Sequence, residues 1–211
     1  GSVCLGSFNN LNKLSEPCLA LWAEVLRVLP EAILLLKDKK AMDRAVQGRI
    51  IDTLERHGVE QGRVEFLPHV PDWPQHMSLY NRLDIALDTH PLGSGTTGFD
   101  ALWMGVPLIT LAGDWMGGRM GASMLTGIGH PEWIAQTADE YVAKVVALAG
   151  DVDLRSQLRA SQRERMRQSP LCDSRGLAVA LENAFEAMFD IWREKKSKHA
   201  TTTAHTDNAV K

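Results

Sequence analysis

Between Asp88 and Gly105 the chain reads Asp-Thr-His-Pro-Leu-Gly-Ser-Gly-Thr-Thr-Gly-Phe-Asp-Ala-Leu-Trp-Met-Gly, its densest concentration of groups able to do chemistry. Gly93, Gly95 and Gly98, with Ser94, Thr96 and Thr97, stand between two apolar runs: Leu83 to Asp88 before them, Phe99 to Met104 after. The first reads as a buried parallel strand and the second as a short helix closed by Gly105 and Pro107. A strand-to-helix junction leaves about four backbone N–H groups without partners, and the helix dipole adds partial positive charge there. The glycines admit a ligand close to the backbone and the threonines add hydroxyl donors, so the chemistry on offer is anion binding, of a phosphate above all. A Gly-rich turn capped by a threonine is the plain alternative for the same residues.

Other residues offer matching chemistry. Lys13, in a loop after the first strand, is a point cation suited to a phosphate, or else a solvated surface lysine. His76 opens a short helix after the third strand, where a neutral imidazole bonds a phosphate or stacks on a base; a packing histidine is the other reading. Asp100 falls four residues after Thr96, in the first turn of its helix. There it either favours the helix dipole or accepts from sugar or ribose hydroxyls. His69 and His90 flank turns beside Pro68 and Pro91 with no third ligand at metal spacing, so no metal site is expected.

Positioning these groups requires strands alternating with helices. Strands are expected at Val3 to Phe8, Ala32 to Lys37, Arg63 to Pro68, Leu83 to Asp88 and Val106 to Leu111. Helices are expected after Ser15, then over 41 to 57, 75 to 80, the run after the glycines, and roughly 118 to 126, 137 to 149, 151 to 167 and 174 to 194. The pattern implies an α/β fold with a doubly wound parallel sheet, Rossmann-like, over residues 1–194, and a disordered polar tail over 195–211. Ligands of such sheets lie beyond the carboxyl ends of the strands. The loops after the first, third and fourth strands therefore converge on one rim.

Composition narrows the function classes. Hydrophobic content of 45% with 23% charged residues is that of an ordinary globular chain. A formal net charge of -3 gives no electrostatic case for nucleic acid, and no apolar run approaches the roughly 20 residues of a membrane span. Cys4, Cys18 and Cys172 are far apart and read as buried thiols of a reducing, cytoplasmic compartment. Trp22, Trp103 and Trp192 fall on apolar helix faces and read as core, whereas Trp73 belongs at the site rim. Met104, Met116, Met120 and Met124 read as core and loop packing. Arg155, Arg159, Arg163, Arg165 and Arg167 read as a solvated helix face.

The order of these segments carries a resemblance. Gly6-Ser7-Phe8-Asn9-Asn10-Leu11-x-Lys13 comes first, then His76 ahead of Leu83-Asp84-Ile85-Ala86-Leu87-Asp88-Thr89. Gly95-Thr96-Thr97-Gly98-x-Asp100-x-Leu102-Trp103-x-Gly105-x-Pro107 follows, then Arg119-x-x-x-Ser123 and Ser169-Pro170-Leu171. From residue 3 to about 194 the chain resembles the protein O-linked N-acetylglucosamine transferases and the related Spindly-type protein O-fucosyltransferases. The resemblance implies the nucleotide-sugar-binding half of a GT-B glycosyltransferase. It also implies that a first catalytic half and a helical-repeat region precede it in the parent chain.

By the same resemblance Lys13 contacts the diphosphate, with Asn10 beside it, and Lys13 and His76 carry the catalytic roles. The backbone of His69, Val70 and Pro71 borders the base next to His76. Gly95, Thr96 and Thr97 meet the phosphates and Asp100 the ribose. Gly95 stands where the N-acetylglucosamine enzymes often have histidine, and relatives also carry a lysine near Trp73. The implied reaction is an inverting displacement in which a Ser or Thr hydroxyl of a protein acceptor attacks the anomeric carbon of UDP-N-acetylglucosamine. No cofactor is expected. Asp100 and Trp103 favour that donor. The Gly-Ser-Phe-Asn-Asn opening and Met104-Gly105-Val106-Pro107 favour GDP-fucose, and a free-standing nucleotide-binding module is the non-enzymatic reading.

Overall fold

The computed structural model describes residues 2–207, with side chains described through Lys196. Chain contacts divide it into two compact units, Gly1–Leu171 and Cys172–Lys211. The first contains β1 (Cys4–Ser7), α1 (Glu16–Val28), β2 (Ile33–Lys37), α2 (Arg44–Arg56), β3 (Val64–Leu67) and α3 (Trp73–Ser78). It continues with β4 (Ile85–Leu87), α4 (Thr96–Trp103), β5 (Leu108–Leu111), α5 (Met120–Gly127), β6 (Ile134–Ala135), α6 (Ala138–Gly150) and α7 (Val152–Arg167). All strand pairs are parallel, in the order β3-β2-β1-β4-β5-β6. That is the doubly wound order, and right-handed crossovers then put helices on both faces. The switch point lies between β1 and β4, where Leu5 pairs with Ile85 and Gly6 with Ala86.

Both faces of the sheet are covered, so its strands are short apolar runs: Leu5, Leu34, Leu35, Leu36, Ile85 and Ile109 are all fully buried. α1 starts where Ser15 Oγ accepts from Cys18 N and Pro17 sits in the first turn, as its sequence requires. Its apolar stripe of Leu19, Trp22, Val25 and Leu26 packs into the core, against α2 and α6. Gly105 turns the chain from α4 into β5 at φ +74, a conformation that disfavours any other residue.

Several expectations are corrected here. β6 was not anticipated; two residues are too short to show a pattern. The arginines of α7 are not uniformly solvated. Arg155 donates to the carbonyls of Leu148 (2.7 Å) and Ala149, and Arg159 to those of Met104 (2.9 Å), Tyr80 and Leu83. These guanidiniums satisfy carbonyls at element ends that sequence alone leaves unassigned. Arg163 and Arg167 lie over the Trp103 ring, 5.6 and 5.7 Å from its centroid. Of the methionines, Met124 is core, whereas Met116 is 85% exposed.

The second unit is the helix α8 (Ser174–Asp207), which Asp173 opens by accepting from Gly176 N at 2.8 Å. It runs through the expected boundary between residues 194 and 195, because Arg193, Glu194, Lys195 and Lys196 are good helix formers. The expected tail is therefore helical through Asp207, and residues 208–211 lie outside the described residues. Trp192 is 54% exposed rather than core, and Cys172 is exposed rather than buried.

Candidate functional site

Beyond the carboxyl end of β4 the chain enters a loop built around one buried carboxylate. Asp88 Oδ1 accepts from Thr89 N (2.9 Å), Ser94 N (2.7 Å) and Ser94 Oγ, and Oδ2 accepts from Thr110 Oγ1 (2.7 Å). Burial pushes the Asp88 carboxyl above its ordinary range, opposed by the bonds from Ser94, Thr110 and Thr89. Asn9, just past β1, donates to Ser94 Oγ at 2.9 Å and to Ser7 Oγ at 3.1 Å. α5 reaches this cluster through Gly121, where a Cβ would overlap Asp88 Oδ2 and Thr110 Oγ1. Asp88 thus fixes both ends of the loop from Thr89 to Ser94.

Two clips bind the loop after β1 to the same loop. Lys13 Nζ donates to the Gly93 carbonyl at 2.8 Å, and Ser15 Oγ donates to that of His90 at 2.7 Å. Burial lowers the Lys13 ammonium below its ordinary range while the Asp88 charge raises it. Next along the chain, α4 begins at Gly95 without a side-chain cap and with no acidic residue in its first turn. The helix start is therefore a set of uncompensated N–H groups beside a lysine, an arrangement that favours an anion.

A cavity of about 310 Å³ opens beside Thr96 and Thr97. Its walls are Phe8, Lys37, Asp38, Lys39, His69, Val70, Pro71, Trp73, His76 and Asp100. The volume lies at the small end of the range for small-molecule sites. His76 stands among the rings of Trp73 (5.5 Å), Tyr80 (5.7 Å) and Phe8 (6.4 Å), and its Nδ1 is 2.7 Å from Lys37 Nζ. Burial, then Lys37 and His69, lower its affinity for a proton. Asp100 is half-buried, and burial raises its carboxyl above the ordinary range. A larger, mostly apolar cavity of about 450 Å³ adjoins through the shared Trp73 and Asp100, lined also by Met77, Phe99, Trp103 and Met166.

His69, Val70, Pro71, His76, Thr96, Thr97 and Asp100 therefore border one space, with Gly95 and Lys13 at the adjoining loop. Asn10 is exposed, and its Oδ1 accepts from Asn12 N, capping the turn that carries Lys13. Asp100 begins the second turn of α4, not the first, so the dipole reading loses its basis. The glycines divide by role. A Cβ on Gly98 would meet Met124 Sδ at 2.9 Å, and one on Gly93 would meet Asp88 Oδ2 at 3.3 Å, so both face the protein. Gly95 has only Met120 Cε nearby, at 3.6 Å. Sequence reasoning missed Lys37 and Asp38, and gave no role to Asn9 and Ser94, which it placed only within motifs. The available signal was a lysine ending the otherwise apolar run of β2.

Known proteins resemble this chain in sequence and fold. Residues 1–181 match glycosyl transferase family 41. A protein of Arabidopsis thaliana named as the probable UDP-N-acetylglucosamine--peptide N-acetylglucosaminyltransferase SPINDLY is 40% identical over 189 residues, 90% of this chain and 21% of its own length. The UDP-N-acetylglucosamine--peptide N-acetylglucosaminyltransferase of Caenorhabditis elegans is 27% identical over 99% of this chain and 18% of its own. The chain thus spans about one fifth of these relatives. Among solved structures, an O-GlcNAc transferase variant of Thermobaculum terrenum superposes with TM-score 0.82 and 35% identity, covering 89% of this chain and 36% of that one. A sucrose-phosphate synthase of Thermosynechococcus elongatus shares the fold, with TM-score 0.61 and 16% identity.

Proposed function

Since the chain belongs to glycosyl transferase family 41, we propose that it is the donor-binding half of a GT-B enzyme that glycosylates Ser or Thr hydroxyls of proteins from UDP-N-acetylglucosamine. The observation that carries this reading is Lys13 bonded to the Gly93 carbonyl beside the uncapped start of α4. In it the diphosphate lies on the N–H groups of Thr96 and Thr97, the ribose meets Asp100, and the base enters the cavity bordered by His69, Val70, Pro71 and His76. Charge-assisted contacts contribute about 1.5–3 kcal/mol each, so three or four give roughly micromolar binding.

The displacement forms the acceptor C–O bond as the bond from the anomeric carbon to the diphosphate breaks, with inversion. Negative charge grows on the departing phosphate oxygen. Lys13 and the positive end of α4 stabilise it from fixed positions, without a metal ion or cofactor, which lowers the barrier rather than merely tightening binding. The acceptor hydroxyl gives up its proton to a base, and that base and the placement of the hydroxyl are assigned to the preceding half of the parent chain.

One observation favours a second donor, GDP-fucose. Guanine needs an acceptor for its amino and imino groups, and Asp38 brings a carboxylate to the cavity wall. Asp72, next to the wall residues Pro71 and Trp73, caps α3 by accepting from Gln75 N at 2.9 Å, and the wall's second carboxylate, Asp100, is taken by the ribose in this reading. Isothermal titration of UDP, GDP and uridine decides. Saturable UDP binding at least about tenfold tighter than GDP, roughly 1.4 kcal/mol, supports the first reading. Equal or tighter GDP binding transfers the assignment to the second, and UDP binding no better than uridine removes the diphosphate site.

A further inference from the structure

We propose that Lys37 is a positioning residue for His76: its ammonium donates to His76 Nδ1 and holds the imidazole neutral, with Nε2–H as its one remaining donor. Lys37 closes β2 with only 3% of its surface exposed. Lysine is almost never buried so fully without a charged partner, yet among the described residues no carboxylate forms an ion pair with it. Its close partner is His76 Nδ1 at 2.7 Å, with the Phe8 ring centroid 5.5 Å away. A charged ammonium has three donors and no acceptor, so the nitrogen it faces must offer its lone pair. The proton of a neutral ring then sits on Nε2.

Burial, then Lys37 and His69, oppose a second proton on His76. Burial lowers the Lys37 ammonium below its ordinary range, and the Asp38 charge beside it opposes that and favours the charged form. Lys39, Asp100 and the Tyr80 phenol complete the titratable surroundings. Trp73 and Tyr80 confine the ring, so fixing the tautomer also fixes which atom reaches a ligand. An ammonium beside an N–H donor selects for acceptor atoms, such as the ring carbonyls of a nucleobase. That last step rests on the nucleotide reading above; the Lys37–His76 pairing does not.

The test is long-range proton–nitrogen correlation of the seven histidines in the full 211-residue chain, titrated from about pH 5 to about pH 8. His76→Gln assigns the signal. The expected result is an Nε2–H tautomer at neutral pH, kept in Lys37→Arg. In Lys37→Met it becomes a mixture and the titration midpoint moves upward. An Nδ1–H tautomer in the wild type overturns the proposal, and that spectrum decides even if Lys37→Met fails to fold. UDP affinity is expected to fall about tenfold in Lys37→Met, roughly 1.4 kcal/mol. Unchanged affinity in a folded variant overturns the positioning role. If the wild type binds neither UDP nor GDP, the nucleotide reading fails, while the tautomer still decides this proposal.

Discussion

Replacing Asp88 separates the loop's support from its ligand contacts. In Asp88→Ala the hydroxyls of Ser94 and Thr110 can turn to other partners, but the amides of Thr89 and Ser94 cannot. Two buried N–H groups left unpaired cost about 1–3 kcal/mol each. Removing a carboxylate that burial penalises offsets part of this. The net expectation is a loss of about 3–4 kcal/mol, or roughly 6–16 °C in melting temperature for a chain of this size. Asp88→Asn keeps an oxygen for the donors of Thr89 and Ser94, and its amide can donate to Thr110 Oγ1, so about 1 kcal/mol is expected. Urea unfolding followed by tryptophan fluorescence measures both. If Ala and Asn cost the same, or neither moves the midpoint, the loop is not suspended from Asp88 and the reasoning fails.

Lys13→Ala should weaken UDP binding at least about tenfold, since one charge-assisted contact contributes about 1.5–3 kcal/mol; calorimetry checks this, with unfolding expected to shift by less than about 1 kcal/mol. His76 holds its proton less tightly folded than its ordinary 6.5, because of burial, Lys37 and His69. The unfolded chain therefore protonates first on acidification. The neutral ring's contribution to stability is present above about pH 6.5 and lost as pH falls through the folded value. Urea midpoints between pH 7 and 5 should drop more steeply for the wild type than for His76→Gln. Supplied with UDP-N-acetylglucosamine and a peptide, the purified 211-residue chain should turn over far below the roughly 1 per second of ordinary enzymes, as radiolabel transfer would show.

Much of the scaffold was readable because both faces of the sheet are covered, which leaves β1, β2, β4 and β5 as apolar runs between clear stops. Ser15, Pro17 and Pro30 bracketed α1 through capping chemistry that acts within a few residues. The convergence of three loops followed from the parallel sheet alone. What escaped depends on partners distant in sequence. Gly98 is a glycine because Met124 crowds it, and no local pattern announces a contact 26 residues away. Lys37 looked like the end of a strand until His76, 39 residues on, came within hydrogen-bonding distance. Arg159 reads as a surface residue among the arginines of α7, yet it satisfies three carbonyls from two other segments. Asn10 and Asn9 are adjacent, and only the turn at Leu11–Lys13 decides which is buried against Ser94 and which caps.

The central claim is that the diphosphate of a nucleotide rests on the start of α4 beside Lys13. Titrating UDP into the nitrogen-15-labelled chain and following the backbone amides tests it most directly. The account predicts saturable shifts at Gly95, Thr96, Thr97 and Gly98, with a midpoint near the micromolar range and loss of those shifts in Lys13→Ala. Shifts confined to the apolar cavity around Met77, Trp103 and Met166, or none in a folded chain, would contradict it.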